Sequence, residues 1–390
     1  MGLVAQRRLF DMRNIMPAAL PFARCLALAF LLCATSGAQR AEIVYLNSKG
    51  DQKTDAKASI TEWTYTGIKF KGKTKRDISP GSLISVKFTR QPVIFEDAML
   101  LMEEGEQRNA LPLFLTIIEG KNEEGKDLGN RDIWIQEHAL FNAWVISRGI
   151  DRLADAKAHR EALKKSYPKS HYLPEIEFRE AGDLFAFGDF GKSLTAFEAF
   201  GARASKLGFG NKYIILAGVG RVRSLIGAGK SSEAETAQSN LSAKALNERT
   251  RLRCELLRGD ILVAKKKFGA AESLFTEMLK KADFAKQPYI FAGAANGLGD
   301  CLYGSAKYKE AMYEYSKTFA LLAGQDGLDH ENGWAFWRFA NCCKQIAAKT
   351  EGPEAKVYAS RFRKNRDRVA EEYRLSRGGQ LARREKGMGK

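Results

Sequence analysis

The chain has 390 residues and a formal charge of +17, with 63 Lys and Arg against 46 Asp and Glu, and only 9 prolines and 6 cysteines. No Cys-x-x-Cys spacing occurs, which excludes a thiolate zinc site, and beyond the first forty residues no run is apolar enough to span a bilayer. The positive balance narrows the partner question to acidic surfaces: nucleic acid inside a cell, or head groups, anionic wall polymers and acidic protein faces outside it.

Residues 1–38 read as a signal peptide. Arg7, Arg8, Arg13 and Arg24 precede the apolar run Cys25–Cys33, and Ser36-Gly37-Ala38 is a small-x-small cleavage site. The run is about half the ~20 residues a membrane span needs. Leu32 before Cys33 argues against lipoprotein processing. The reading implies an exported chain, periplasmic or extracellular, beginning near Gln39. Cleavage would remove four arginines and Asp11 and leave +14. Nucleic acid then drops out as a partner. Cys254, Cys301, Cys342 and Cys343 remain and read as small buried hydrophobes.

Residues 41–90 change character. Glu42–Leu46, Ser59-Ile60, Trp63–Tyr65, Gly67–Phe70 and Leu83–Phe88 are short β-branched or aromatic runs, punctuated at Gly50-Asp51, Gly72-Lys73 and Pro80-Gly81. Alternation in Ile68–Lys71 and Ile84–Phe88 sets lysines on one face and apolar residues on the other. These runs predict a small antiparallel barrel, either capping the helices that follow or binding something itself.

From Phe95 onward helical spacing takes over. Lys121–Asp132 reads as a long polar loop. Tyr167-Pro168 through Pro174-Glu175 reads as a junction in which Pro168 ends one helix and Pro174 opens the next. The clearest segment is Gly297–Phe319, where Gly299, Leu302, Tyr308, Ala311 and Tyr315 describe a helix, a tight turn and a second helix. Gly259, Leu262, Phe268, Ala271 and Phe275 repeat those offsets, and looser copies place the small residue at 110, 154, 193 and 234. A last unit is expected around Trp334–Lys364, with an insertion at Lys349–Pro353. The aromatic run Trp334–Phe339 reads as core.

Chemistry-bearing motifs are absent. Gly227-Ala228-Gly229-Lys230-Ser231 lacks the first glycine of a phosphate loop, since position 224 is Ser224, and Gly218-Val219-Gly220 lacks the third glycine of a dinucleotide loop. His138, His159, His171 and His330 are scattered, so no catalytic, metal or cofactor residue is assigned.

The repeated spacing resembles the tetratricopeptide (TPR) repeat across roughly 94–365, although the steps between units exceed its period of about 34 residues. The junction at Tyr167–Glu175 is similar to those of cell-envelope TPR proteins. The resemblance implies a mainly α superhelix of six or seven hairpins behind an SH3-like β module, with a basic helix end and tail over 366–390. It also implies a non-catalytic scaffold of the bacterial cell envelope that binds a protein or peptide on its concave face. The positions carried over for peptide binding are Arg223, Asp260, Asn296, Asp300, Tyr303, Asn341 and Lys344. Asp260 and Asp300 are expected side by side, repelling each other until a basic segment binds, so that replacing both with Asn would leave the fold intact. One rival is an adaptor whose basic C-terminus docks to anionic polymer or lipid. Another is an enzyme subunit.

Overall fold

The computed structural model describes residues 39–388 apart from 48, 50, 73, 246 and 326; the signal-peptide reading falls outside the described residues. Strands β1 (Gln39–Leu46), β2 (Gln52–Thr64), β3 (Gly67–Lys71), β4 (Lys75–Ile78) and β5 (Leu83–Phe88) form one antiparallel sheet in the order β4-β3-β2-β1-β5. The two runs Ser59-Ile60 and Trp63–Tyr65 belong to the single strand β2 and its turn. Alternate residues Ala41, Ile43 and Tyr45 of β1 enter a core with Ala58, Ile60, Ile68, Phe70 and Ile78. One expected alternation fails. Tyr45 pairs with Leu83 and Val44 with Ser85, so Ile84 is the extra residue of a bulge and is half exposed instead of facing the core.

Seven antiparallel hairpins follow, each a first and a second helix. They are α1 (Val93–Glu103) with α2 (Gln107–Ile118), α3 (Ile135–Gly149) with α4 (Leu153–Ser166), and α5 (Leu173–Ala186) with α6 (Phe190–Leu207). Next come α7 (Asn211–Gly227) with α8 (Ser231–Ser242), α9 (Glu248–Ala264) with α10 (Phe268–Lys281), and α11 (Pro288–Gly304) with α12 (Tyr308–Leu322). The last pair is α13 (Asp329–Ala347) with α14 (Gly352–Glu372). First helices of 17 residues in α7, α9 and α11 account for the long repeat step.

The repeat is sharpest at the turn. In six hairpins the residue two before the second helix is left-handed: Gly105, Asp151, Gly188, Gly229, Lys266 and Ala306. The fourth residue of that helix is small and buried: Ala110, Ala156, Ser193, Ala234, Ala271 and Ala311. Ala156 corrects the expectation for Ala154, which is exposed; the true position lies two residues on, still the fourth of its helix. The glycine of the false phosphate loop, Gly229, is simply this turn residue (φ 75°). The insertion before α14 removes the pattern from the seventh turn.

Three of these turns hold a residue with a side chain in the left-handed region, which costs an L-residue roughly 1–2 kcal/mol, partly offset in glycine by its extra chain entropy. Replacing Ala306 (φ 60°) with Gly should therefore raise unfolding stability by about 0.5 kcal/mol, read as a shifted urea midpoint at constant slope.

The C-terminus departs most from expectation. It is neither a solvated helix end nor a frayed tail. Ser376 caps a further helix, α15 (Arg377–Glu385), accepting from the Gly379 amide at 2.9 Å, and Gly378, Gly379, Gln380 and Ala382 are buried. This helix packs on α13, α14 and α5. Its arginines reach back to the end of α5: Arg377 donates to the Ala186 carbonyl at 3.2 Å and Arg384 to that of Phe187. Cations there satisfy the orphan carbonyls and the negative end of the helix dipole. Arg383 pairs with Asp151 at 2.7 Å in the α3–α4 turn, and Lys344 with Glu385 at 2.7 Å. The basic tail closes the superhelix on itself.

The β module docks through the Tyr-Pro junction and not onto the first helix alone. The Trp63 ring stacks on His171 (3.8 Å, 7°), Phe88 packs on Trp134 and His138, and Tyr65 donates its amide to the Lys169 carbonyl at 3.1 Å. His138 is buried and bonds the Tyr172 hydroxyl; burial, then the neighbouring His171, holds its pKa well below the ordinary value, so it docks neutral.

Candidate functional site

Successive first helices pack side by side, α7 on α9, α9 on α11 and α11 on α13, so their facing residues meet along one inner surface. Arg223 of α7 lies 3.9 Å from Glu331 of α13 although two first helices intervene in the chain. The Arg223 guanidinium sits 5.9 Å from the centre of the Tyr289 ring, and that of Arg253 sits 5.0 Å from it. The Arg253 Nε is buried with no acceptor. Burial lowers the pKa of this arginine, and Arg249 and Arg223 beside it act in the same direction.

Asp260 of α9 joins this tier. Its carboxyl accepts no hydrogen bond among the described residues. Burial raises its pKa from 3.8 to about 6; Arg223 opposes the rise, while Asp300 and Glu331 add to it. An acid with a raised folded pKa binds its proton more tightly when folded, so stability falls as pH rises from about 4 to about 6 and is level above that. Asp260→Asn should abolish that part of the slope. Melting temperatures of parent and variant at about pH 4 and about pH 7 check it: the parent should lose more over this interval than the variant.

Asp300 behaves differently. It accepts from the Tyr315 hydroxyl at 2.6 Å, from Trp334 Nε1 at 3.0 Å and from Arg338 Nε at 2.8 Å. The Arg338 guanidinium in turn lies 3.9 Å from the Tyr303 ring centre. The expected pair of repelling aspartates awaiting a basic segment is therefore corrected: Asp260 and Asp300 are neighbours, but Arg338 of the same chain already occupies Asp300.

The other candidates are committed to the fold. Asn296 is buried, donating to the Glu331 carbonyl and accepting from Thr318, both at 3.0 Å, which ties three helices together. Asn341 donates to the Trp337 carbonyl of its own helix at 2.8 Å, and Lys344 holds α15. Arg223, Asp260, Asp300 and Tyr303 thus converge; Asn296, Asn341 and Lys344 do not present free groups. The sequence reading missed Arg253, Tyr289, Glu331 and Arg338. The one legible signal was Arg338, one turn after Trp334 on the same helix face.

The tier has one spare buried donor, one spare acceptor and an aromatic ring, which suits noncovalent recognition of a polar segment. Among the described residues no group of three or more His, Cys, Asp or Glu could hold a metal ion. A second concavity of about 290 Å³ lies between the β module and the helices, lined by Trp63, Tyr65, Ile84, His171, Phe209 and Tyr213 among others.

No family model matches the chain. No curated protein matches it either. Among solved structures, the chain is similar to a tetratricopeptide repeat protein from Parabacteroides merdae ATCC 43184, at 15% identity and a TM-score of 0.42, over 69% of this chain and 97% of that one. By its own hairpins, recurrent left-handed turns and strand order, the chain is a TPR-like α-solenoid preceded by a small SH3-like β module.

Proposed function

We propose that the protein is a non-catalytic interaction scaffold, exported to the bacterial cell envelope, that holds a partner segment at the tier of Arg223, Arg253, Asp260 and Tyr289. One observation carries the reading. The Arg253 Nε is buried without a partner and the Asp260 carboxyl accepts no hydrogen bond among the described residues, and both lie beside Tyr289; an unmade buried hydrogen bond such as that of Arg253 costs ~1–3 kcal/mol that a ligand can recover. A segment offering an acceptor to Arg253 and a donor to Asp260 fits both. A photo-crosslinking amino acid in place of the exposed Arg249, beside Arg253, should capture a specific partner in the native cells. The same residue in place of the exposed Glu104 should not. Capture that is equal from both positions, or unaffected by Arg253→Gln, would remove the tier from the site.

A further inference from the structure

The outer face of α14 is a second feature, independent of that tier. Half-buried Ala355, Tyr358, Ala359, Phe362 and Arg366 recur at helical spacing and turn towards α13. The opposite face between residues 354 and 364 carries Lys356, Arg361, Arg363 and Lys364, all exposed. None of the four has an ion-pair partner among the described residues, whereas Arg366 and Arg368 in the later turns pair with Asp367 and Glu372. The only acidic side chain in that stretch, Glu354, is taken by Lys309 of α12 at 3.5 Å.

Apolar groups stand among these cations. Val357 is 48% exposed and Tyr313 of α12 is 66% exposed. Lys309, Tyr313 and Lys317 follow one another at four-residue steps on α12, and the Lys309–Glu354 contact sets this stripe beside the start of α14. The acidic side chain that α15 could offer to neutralise the patch, Glu385, is held by Lys344 at 2.7 Å.

We infer that this face, Lys309, Tyr313, Lys356, Val357, Arg361, Arg363 and Lys364, is a docking surface for an anionic lipid bilayer. Unpaired cations on a rigid helix attract anionic head groups, each contributing about 1 kcal/mol near the surface and less as salt rises. The exposed Tyr313 ring and the Val357 side chain suit the head-group boundary, which distinguishes a bilayer from a purely polar polyanion. Among the described residues no helix is long and apolar enough to cross a membrane, so the contact is peripheral. It would leave the inner tier facing away from the lipid and open to a protein.

The test is sedimentation of the full chain with vesicles of phosphatidylglycerol and phosphatidylcholine in equal parts, beside vesicles of phosphatidylcholine alone. Binding is expected only to the anionic vesicles, and it should collapse between low and moderate salt. Replacing Lys356, Arg361, Arg363 and Lys364 together with Gln should weaken partition at least tenfold, with an unchanged melting temperature since all four are solvated. The charge-conserving set, Lys for Arg and Arg for Lys, should bind like the parent. Failure to bind anionic vesicles at low salt would overturn the inference. So would equal binding by the Gln variant, or capture of soluble polyphosphate by a chain that ignores vesicles. Because none of these residues touches the inner tier, such a failure would leave the scaffold reading untouched.

Discussion

Asp300→Asn should destabilise the protein by about 3 kcal/mol, the lower end of the cost of stripping one partner from a buried ion pair, because both side chains keep 19% of their surface exposed. The carboxylate gathers three donors from two other helices, Tyr315 of α12 and Trp334 and Arg338 of α13. An amide can accept from one or two of them, but it turns its own N–H groups on the guanidinium, leaving Arg338 charged, enclosed by three aromatic rings and unpaired. Adding Arg338→Met should recover much of the loss, as replacement of a whole buried pair often does. Urea titrations of the two single variants and the double variant read both numbers. An Asp300→Asn protein as stable as the parent would mean that Asp300 is an unpaired carboxylate beside Asp260 on the concave face, as expected from the sequence. Asp260→Asn, one repeat away and without a bonded partner, carries the opposite expectation.

Gly297→Val should cost about 3 kcal/mol or more, beyond the ordinary range for overpacking, because the neighbour it meets cannot retreat. The Phe275 ring is fully buried between Gly259 of its own hairpin and Gly297 of the next, and a Cβ on either glycine would fall well inside contact distance of it. The absence of side chains on both first helices is what lets the ring fill the gap between hairpins. Gly269, two residues into α10, has nothing within 4 Å of an added Cβ. Gly269→Val is therefore the control: it meets no neighbour, and because valine is the better helix former it should be neutral or gain a few tenths of a kcal/mol. Matching losses at 269 and 297 would contradict the packing.

The repeats were legible because each must bury the same face against the next, which forces small and aromatic residues into fixed offsets. Ala271 and Ala311 followed from that rule alone. Ala154 did not, because the aromatic landmarks are missing there and two alanines two residues apart fit equally well until burial separates them. Half of the inner tier was legible for the same reason: Arg223, Asp260 and Asp300 occupy equivalent repeat positions. Glu331 and Arg253 were not, since they arrive from other helix positions and only the closure of the superhelix brings α13 within reach of α7. The role of α15 was hidden more deeply. Its arginines find partners 191, 197 and 232 residues away, a distance over which no periodicity speaks. The Ser376 cap was the one local sign that a new helix starts there.

The most direct test of the inner tier is titration calorimetry of the partner captured from position 249 against the parent, Arg253→Gln and Asp260→Asn, with melting temperatures recorded alongside. Each substitution should weaken binding by roughly tenfold, the worth of one charge-assisted hydrogen bond, while Arg253→Gln does not lower the melting temperature and Asp260→Asn raises it at neutral pH. Equal affinity across all three proteins, with folds intact, would contradict it.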